Sequence, residues 1–277
     1  MFRKKDKAKN TATAFEKAFV IKKAKPNPVV KAGSIVLYLT LIIAVVACVL
    51  MAVLDKTGVA PSPTDKTSDK AEAVDISSLP EDLQKLYKEN FETADFVSSY
   101  FKEKDKPREV SLKKYRKSKK VPLFIQWDKQ WGYLPYGDSI TGVNGDGPMS
   151  LAMAGYHLTR DEKFSPDKVV AFAMENGYYN KGTLPSLMKE GAASLGLASA
   201  EIKASKENIT AALNAGKVVV CLMKKGELSS NEHYVVLTAC IEDTVFLNDP
   251  TSIVNSEKDW FVVDVLSGIK NAWVLSV

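Results

Sequence analysis

The longest apolar run of the chain extends from Ala32 to Leu54 and contains no charged residue. Its 23 residues are enough to cross the roughly 30 Å hydrocarbon core of a bilayer as a tilted helix. We therefore predict a transmembrane helix over residues 32–54. The rest of the chain has shorter apolar runs separated by polar segments, which indicates one globular domain with appendages.

Charge differs between the two sides of this run. Residues 1–31 carry ten Lys or Arg against Asp6 and Glu16, whereas the twenty residues after the run carry three lysines. The positive-inside rule places such a basic tail in the cytoplasm and the C-terminal part outside. We predict a single-pass cell-membrane protein, of the kind found on bacterial surfaces, with an uncleaved signal anchor and an extracytoplasmic domain.

Two other fates of the apolar run are considered. A cleaved signal peptide would have a shorter apolar core, and the small-residue site Val59-Ala60 precedes Pro61, which disfavours cleavage. Val45 to Cys48 forms a loose lipobox in which Cys48 would be lipidated. Six apolar residues follow Cys48, where a mature lipoprotein would turn polar.

Three segments connect the anchor to the globular domain. Residues 55–78 are polar and contain few large apolar side chains, which is typical of a flexible linker. Residues 79–120 form a neck. A capping box of Ser78 and Glu81 predicts a helix start, and residues 93–101 are predicted to form a second short helix. We expect both helices to dock on the domain.

The second half of the neck is strongly basic. Lys102 to Lys120 contains ten Lys or Arg against three acidic residues. The simpler interpretation is a solvated, partly mobile connector. The functional alternative is attraction to anionic lipid headgroups or cell-wall polymers beside the anchor.

Residues 121–277 alternate between helix and strand patterns. Helices are predicted at Pro166–Asn176, Pro185–Leu195 and Lys206–Ala215, and strands at Lys217–Met223, His233–Ile241, Thr244–Asn248 and Trp260–Val263. Helices first and strands later favour an α+β fold with a helical half and an antiparallel sheet.

Composition narrows the function classes. The net charge of +5 is modest and much of it lies in two local clusters, and no nucleic-acid-binding motif is present, so we do not predict a nucleic-acid partner. The three cysteines have no zinc-type spacing, and no cofactor or metal is predicted. Cys221 and Cys240 lie in strand-like segments and are interpreted as buried small hydrophobes, with a disulfide between them left open.

Several ordered motifs resemble those of the C39-like, papain-fold cysteine peptidases. The segment from Gly145 to Leu151 reads Gly-Asp-Gly-Pro-Met-Ser-Leu, where the family has Gly-Cys-Gly-Pro-Thr-Ser-Leu. Residues 122–132, Asn231–Leu237 and Asn248-Asp249-Pro250 match three further family segments. The similarity covers about 155 residues, from Pro122 to Trp273, and the neck resembles the helical leader that precedes many such domains. This resemblance implies the papain-like fold, with a helical half and an antiparallel sheet.

The resemblance also implies roles for single residues. His233 corresponds to the histidine base, Asp249 to the carboxylate that orients the imidazole, and Gln126 to the donor to the oxyanion. Asp146 stands where the nucleophilic cysteine belongs. Met149 replaces a threonine, and Lys224 to Leu228 departs from the Gly-rich run that precedes the histidine, so substrate selection is expected to have changed.

An aspartate is a poor substitute for a thiolate. At a helix start it is stabilised by the helix dipole, and its attack on an amide would give a mixed anhydride that the departing amine reverses. We expect an ionised Asp146 paired with His233 and no acyl-enzyme. His157, the second histidine, lies about three turns along the same predicted helix and is too distant to act as the partner.

Three functions follow. The leading hypothesis is a pseudopeptidase that binds a peptide or protein in the former active-site cleft. The alternative is a hydrolase of altered chemistry, in which Asp146 acts as general base with His233 as acid, or in which Asp146, His233 and Asp249 bind a divalent metal. A third is a purely structural interaction module in which the anchor and the basic connector matter.

Overall fold

The structure, a computed structural model, describes residues 75–277. These residues belong to one compact unit. The predicted transmembrane helix, the basic tail, Cys48 and nearly all of the linker lie outside the described residues. Within residues 75–277, no helix is both long enough and apolar enough to cross a membrane.

The neck is helical but is divided more finely than predicted. Helix α1 spans Glu81–Glu89, a 3₁₀ turn spans Phe91–Thr93, and helices α2 and α3 span Ala94–Ser98 and Tyr100–Glu103. The predicted capping box is wrong. Pro80 occupies the N-cap position of α1, and no side chain caps the helix there.

The neck docks on the domain, as expected. Leu79, Leu83, Phe96 and Val97 form a buried cluster with Tyr133. The rings of Phe96 and Tyr133 stack with centroids 4.3 Å apart, and the Tyr133 hydroxyl donates to the Phe96 carbonyl oxygen at 2.6 Å. Because the Phe96 ring also covers Gly142, a Cβ there would lie 2.4 Å from the ring and could not be accommodated without a shift.

The basic connector is attached to the core at two points. A 3₁₀ turn spans Lys113–Tyr115, Leu112 is buried, and the Tyr115 hydroxyl donates to the Leu123 carbonyl oxygen at 3.0 Å. The lysines of the segment are exposed. The lysines of the connector are thus solvated, whereas its apolar side chains and the largely buried Arg108, which donates to the Lys129 and Glu103 carbonyl oxygens, fix the segment.

The helical half surrounds one central helix. A small hairpin of β1 (Pro135–Tyr136) and β2 (Ser139–Ile140) leads into α4 (Thr141–Asn144) and then α5 (Asp146–Thr159). Residues Gly147 to Tyr156 of α5 are all buried, so this helix lies inside the molecule, as expected for a helix that is largely apolar on every side. Helix α6 (Pro166–Glu175), a π-helical turn (Leu187–Gly191) and α7 (Ala192–Ser194) follow.

The other half is a six-stranded antiparallel sheet. Its strands are β3 (Ala198–Ile202), β4 (Val218–Met223), β5 (His233–Ile241), β6 (Thr244–Asn248), β7 (Trp260–Phe261) and β8 (Ile269–Ser276), in the spatial order β3-β8-β4-β5-β6-β7. Helices α8 (Lys206–Asn214), α9 (Ile253–Glu257) and α10 (Val262–Gly268) lie between strands along the chain.

Alternate residues of the central strands supply two cores. Val218, Val220 and Leu222 of β4, with Tyr234 and Val236 of β5, join the core built on α5. Val219, Cys221, Val235 and Leu237 belong to a second core, which Ile209 of α8 and Val265 of α10 complete. The predicted combination of a helical half and an antiparallel sheet is confirmed.

Some predicted elements differ from those observed. The predicted helix at 185–195 is a π-helical turn followed by one short turn of α-helix, and strand β7 ends at Phe261, with α10 beginning at Val262. Strands β3 and β8 were not predicted. Strand β3 lies at the sheet edge with no fully buried residue, so its sequence, Ala-Ser-Ala-Glu-Ile, lacks the apolar alternation that marks a strand.

Candidate functional site

Four segments of the chain meet at the start of α5. Asp146 opens that helix, and His233 opens β5. Asp249 directly follows β6, and Gln126 lies on the segment that enters the domain. The backbone N–H of Gln126 donates to the Pro250 carbonyl oxygen at 2.8 Å, which joins the entry segment to the loop of Asp249. The four residues selected from the sequence are thus brought to one region.

His233 and Asp249 form a buried pair. The Nε2 atom of His233 lies 3.1 Å from Oδ2 of Asp249, and the two residues are 3% and 0% exposed. Burial lowers the pKa of His233, but the charge and hydrogen bond of Asp249 outweigh it and leave that pKa above its ordinary value. This is the relationship expected of a base and the carboxylate that orients it.

The carboxylate of Asp249 is held by its own loop. Its Oδ1 accepts from the backbone N–H and hydroxyl of Thr251 at 2.8 and 2.7 Å, and its Oδ2 accepts from Nδ2 of Asn255 at 2.8 Å. Burial raises the pKa of Asp249, but the charge of His233 and these hydrogen bonds hold it below its ordinary value. Asp249 is therefore a fixed anion beside the imidazole.

Asp146 is bound to the strand of His233 rather than to His233 itself. Its Oδ2 accepts a hydrogen bond from the backbone N–H of Tyr234 at 2.8 Å. Among residues 75–277, the ion pair of His233 is the one with Asp249, and none includes Asp146. The expected ion pair between Asp146 and His233 is therefore wrong. The Asp146 carboxylate instead accepts a hydrogen bond from the backbone amide of the next residue, Tyr234.

Burial also changes the acidity of Asp146. It raises the pKa of the carboxyl to about 6, although the Tyr234 amide, the charge of His233 and the N–H of Gly147 oppose that rise. We expected the helix start to stabilise the ionised form, and here the loss of solvent outweighs that stabilisation. At neutral pH Asp146 is still mainly a carboxylate.

The side-chain N–H groups of Gln126 are not free to donate to an oxyanion. Its Nε2 donates to the carbonyl oxygens of Gly142 at 3.1 Å and Val143 at 3.3 Å. An amide nitrogen has two hydrogens, so both are used. Its Oε1 is buried and has no hydrogen-bond partner among the described residues. The residue lies where the resemblance implies, but without a free donor.

Two tyrosines and a threonine enclose the helix start, and the sequence had not singled them out. The hydroxyl of Tyr136 shares a hydrogen bond with Oγ1 of Thr183 at 2.8 Å, and that of Tyr234 donates to the Thr183 carbonyl oxygen at 3.1 Å. A Cβ at Gly147 would lie 2.4 Å from Thr183, so the glycine lets this loop approach the helix.

The neck reaches the same site. Asn90 Nδ2 donates to the Thr251 carbonyl oxygen at 2.8 Å. The carboxylate of Glu92 accepts from the Ser252 hydroxyl at 2.5 Å and from the Ile253 N–H at 2.7 Å, at the start of α9. These two residues therefore hold the loop that positions Asp249. The only signal in the sequence was that they lie in the leader-like part of the neck.

The loop that departs from the family also borders this region. Lys224 to Leu228 precedes β5, and the Leu228 carbonyl oxygen accepts from Nδ2 of Asn255 at 2.9 Å. Asn255 is the residue that also binds Asp249. The loop is thus linked to the site through one side chain.

Neither of the two cysteines within residues 75–277 lies at the start of α5. Cys221 and Cys240 are free and buried in the core on the α8 side of the sheet, and burial raises the pKa of Cys221. Within residues 75–277, no group of three or more His, Cys, Asp or Glu side chains is arranged to hold a metal ion. The site holds an oriented imidazole, a carboxylate at the start of α5 and a Gln126 amide whose two hydrogens bind backbone carbonyl oxygens.

Comparisons with known proteins give distant structural likenesses. No protein-family model and no curated protein matches the chain. The peptidase domain of Streptococcus ComA, a bi-functional ABC transporter involved in a quorum sensing pathway, matches with a TM-score of 0.41 and 18% identity, over 56% of this chain and 98% of that domain. A putative C39-like peptidase from Bacillus anthracis matches with a TM-score of 0.39 and 17% identity, over 57% of this chain and 96% of that protein. Both of these structural neighbours are C39 peptidase domains.

Proposed function

We propose that residues 121–277 form a catalytically inactive, C39-like domain that binds a peptide or protein segment at the former cleavage site. The domain is held outside the cell by the apolar run at residues 32–54. The observation that carries this proposal is the carboxylate of Asp146 in the nucleophile position, hydrogen-bonded to the Tyr234 amide at 2.8 Å. A carboxylate so placed binds and orients groups but does not form a stable acyl intermediate.

The lost oxyanion donor supports the same conclusion. An acyl-transfer site needs free N–H groups aimed at the developing oxyanion, and removing one typically costs about 10²–10³ in kcat. In this protein both hydrogens of Gln126 Nε2 point to backbone carbonyl oxygens. Two parts of the cleavage machinery are thus missing, while the buried His233–Asp249 pair is retained.

Peptide binding tests this proposal directly. We expect the purified full-length protein to retain extended peptides from a diverse synthetic pool, and Gln126→Ala to weaken that retention, because it releases the carbonyls of Gly142 and Val143 beside Asp146. Gln84→Ala, on helix α1 of the neck, is the matched control and should leave retention unchanged. Absence of retained peptide would reject the proposal.

One observation favours a second function, hydrolysis with Asp146 as general base. Burial raises the pKa of Asp146 to about 6, closer to the range in which a general base works well. Such an enzyme would hydrolyse peptides with a rate that rises through pH 6, and Asp146→Asn would abolish the reaction. A rate that does not depend on Asp146 would exclude this mechanism.

A further inference from the structure

One side chain joins the loop before β5 to the buried pair of the site. Asn255, on α9, uses both hydrogens of its Nδ2 atom. It donates to the Leu228 carbonyl oxygen at 2.9 Å and to Oδ2 of Asp249 at 2.8 Å. The same oxygen of Asp249 lies 3.1 Å from Nε2 of His233. A continuous chain of hydrogen bonds thus runs from the loop to the imidazole.

Asn255 is fixed through its own backbone. Its N–H donates to the hydroxyl of Ser252, the N-cap of α9, at 3.0 Å, and its carbonyl oxygen accepts from Nε1 of Trp260 at 2.9 Å. Trp260 is buried and belongs to the second core. The domain, and not the loop, therefore sets the place from which the amide of Asn255 reaches its two acceptors.

The loop itself is open to solvent. Residues 224–232 connect β4 to β5, which begins at His233. Lys224 to Glu227 are exposed, whereas Leu228 packs on the second core and offers its carbonyl oxygen to Asn255. A ligand that contacts the exposed part of the loop can therefore move this carbonyl.

Asp249 carries a change at Asn255 to the imidazole. Its Oδ1 accepts from the N–H and hydroxyl of Thr251, so the carboxylate keeps its place when a bond to Oδ2 is lost. Two donors, Asn255 and His233, share Oδ2. Each donor stabilises the negative charge of the carboxylate, so the loss of one leaves a stronger acceptor for the other.

We propose that Asn255 is a positioning residue that couples the loop at Lys224–Leu228 to the Asp249–His233 pair. A ligand that moves the loop changes the hold of Asn255 on Asp249, and thereby the proton affinity of His233. The inference names a regulation of the proposed binding site, and it rests on the proposed function in one point, that the ligand contacts this loop.

The test replaces Asn255 by leucine, which keeps a branched shape but has no hydrogen-bonding group. Asn255→Ala, which leaves room for water beside the Leu228 carbonyl, is a second variant. Asn208→Leu is the matched control, because Nδ2 of Asn208 donates to the Lys203 carbonyl oxygen at 2.9 Å on the exposed surface. All three variants keep the two carboxylates that act on the imidazole of His233, those of Asp249 and Asp146.

Two properties of the full-length protein in detergent micelles are measured. An NMR titration of the imidazole signals gives the pKa of His233, with His157 as the internal reference. We expect both Asn255 variants to raise the pKa of His233 by about 0.5 or more and to leave that of His157 unchanged. Hydrogen exchange, followed by mass spectrometry, should become about tenfold faster at residues 224–232, the scale of one lost hydrogen bond. Asn208→Leu should change neither property.

A faster loop with an unchanged His233, or the reverse, overturns the coupling, because Asn255 would then hold only one of its two acceptors. A fall in the pKa of His233 also overturns it, because Asn255 rather than Thr251 would then keep Asp249 beside the imidazole.

The synthetic peptide pool separates this inference from the proposed function. Added to the native protein, retained peptides should shift the titration of His233, and Asn255→Leu should lose most of that shift. An equal shift in both proteins overturns the coupling while peptide binding stands. Absence of retained peptide rejects the proposed function, whereas the two measurements on the variants still decide the coupling.

Discussion

The chemistry of this site depends on one residue more than on any other. Asp146 occupies the first position of a buried helix and bonds to the backbone of the strand that carries His233. A thiolate in that position would be a nucleophile, whereas a carboxylate accepts hydrogen bonds and is a weak nucleophile. Loss of solvent around it has an energetic consequence that can be measured.

We predict that Asp146→Asn stabilises the protein at neutral pH. The folded-state pKa of about 6 lies above the ordinary value of 3.8, so the ionised form is disfavoured by folding. Stability from this group is present at low pH and is lost as the pH rises from about 4 to about 6. The variant should unfold roughly 2–4 °C higher than the native protein at pH 7, and at the same temperature near pH 4.

The measurement is thermal unfolding by circular dichroism at several pH values from 4 to 8. Asp259→Asn, which removes an exposed carboxylate, should show no such pH-dependent gain. An unfolding temperature of Asp146→Asn that falls below the native value at pH 7 would show that the carboxylate is stabilised as an anion, against this account.

At the scale of elements, the neck belongs to the site. Glu92 accepts hydrogen bonds from the first residues of α9, and Asn90 binds the carbonyl of Thr251, whose own amide and hydroxyl hold Asp249. Asp249 raises the pKa of His233. A change in the neck that moves Asp249 should therefore change the pKa of His233.

We predict that Glu92→Ala lowers the pKa of His233, because the loop of Asp249 loses the carboxylate that binds the Ser252 hydroxyl and the Ile253 N–H at the start of α9. Ser252, the N-cap of α9, remains in this variant, so the helix itself should persist. The measurement is an NMR titration of the imidazole signals of the full-length protein in detergent micelles. The chain contains two histidines, and His157, whose pKa burial lowers, serves as the internal reference.

The matched control is Glu89→Ala, which removes an exposed carboxylate from the end of α1. It should leave both histidine titrations unchanged. If Glu92→Ala shifts neither histidine, or shifts both equally, the neck does not position Asp249.

The sequence predicted the elements whose side chains alternate between core and solvent or carry a motif. Strands β5 and β6 were predicted to the residue, and the four site residues were found through the family resemblance. Edge strand β3 was not predicted, because none of its residues is fully buried and its sequence therefore lacks an apolar alternation. The orientation of the Gln126 amide and the roles of Asn90 and Glu92 depend on contacts between residues distant along the chain, which no local pattern records.

At the scale of the whole molecule, we propose that the C-terminal domain lies on the outer face of a membrane. The charge difference across residues 32–54 is the basis for that orientation. We propose that the exposed lysines of the basic connector bind anionic lipid headgroups or cell-wall polymers as a secondary partner.

Protease treatment of intact cells tests this topology. We expect an added protease to remove a C-terminal epitope tag placed after Val277 and to leave an N-terminal tag on Met1 protected until the membrane is permeabilised. A cytoplasmic protein carrying the same tag provides the control for cell integrity. Protection of the C-terminal tag in intact cells would reverse the proposed orientation.

The central claim is that the site binds peptides without cleaving them, because Asp146 stands in the nucleophile position. The most direct test is to incubate the full-length protein with a diverse peptide pool and to analyse the products by mass spectrometry. Native protein and Asp146→Cys are compared side by side. The account predicts no cleavage by the native protein, with any cleavage confined to the cysteine variant. Cleavage by the native protein that disappears in Asp146→Asn would contradict it and would make Asp146 a catalytic residue.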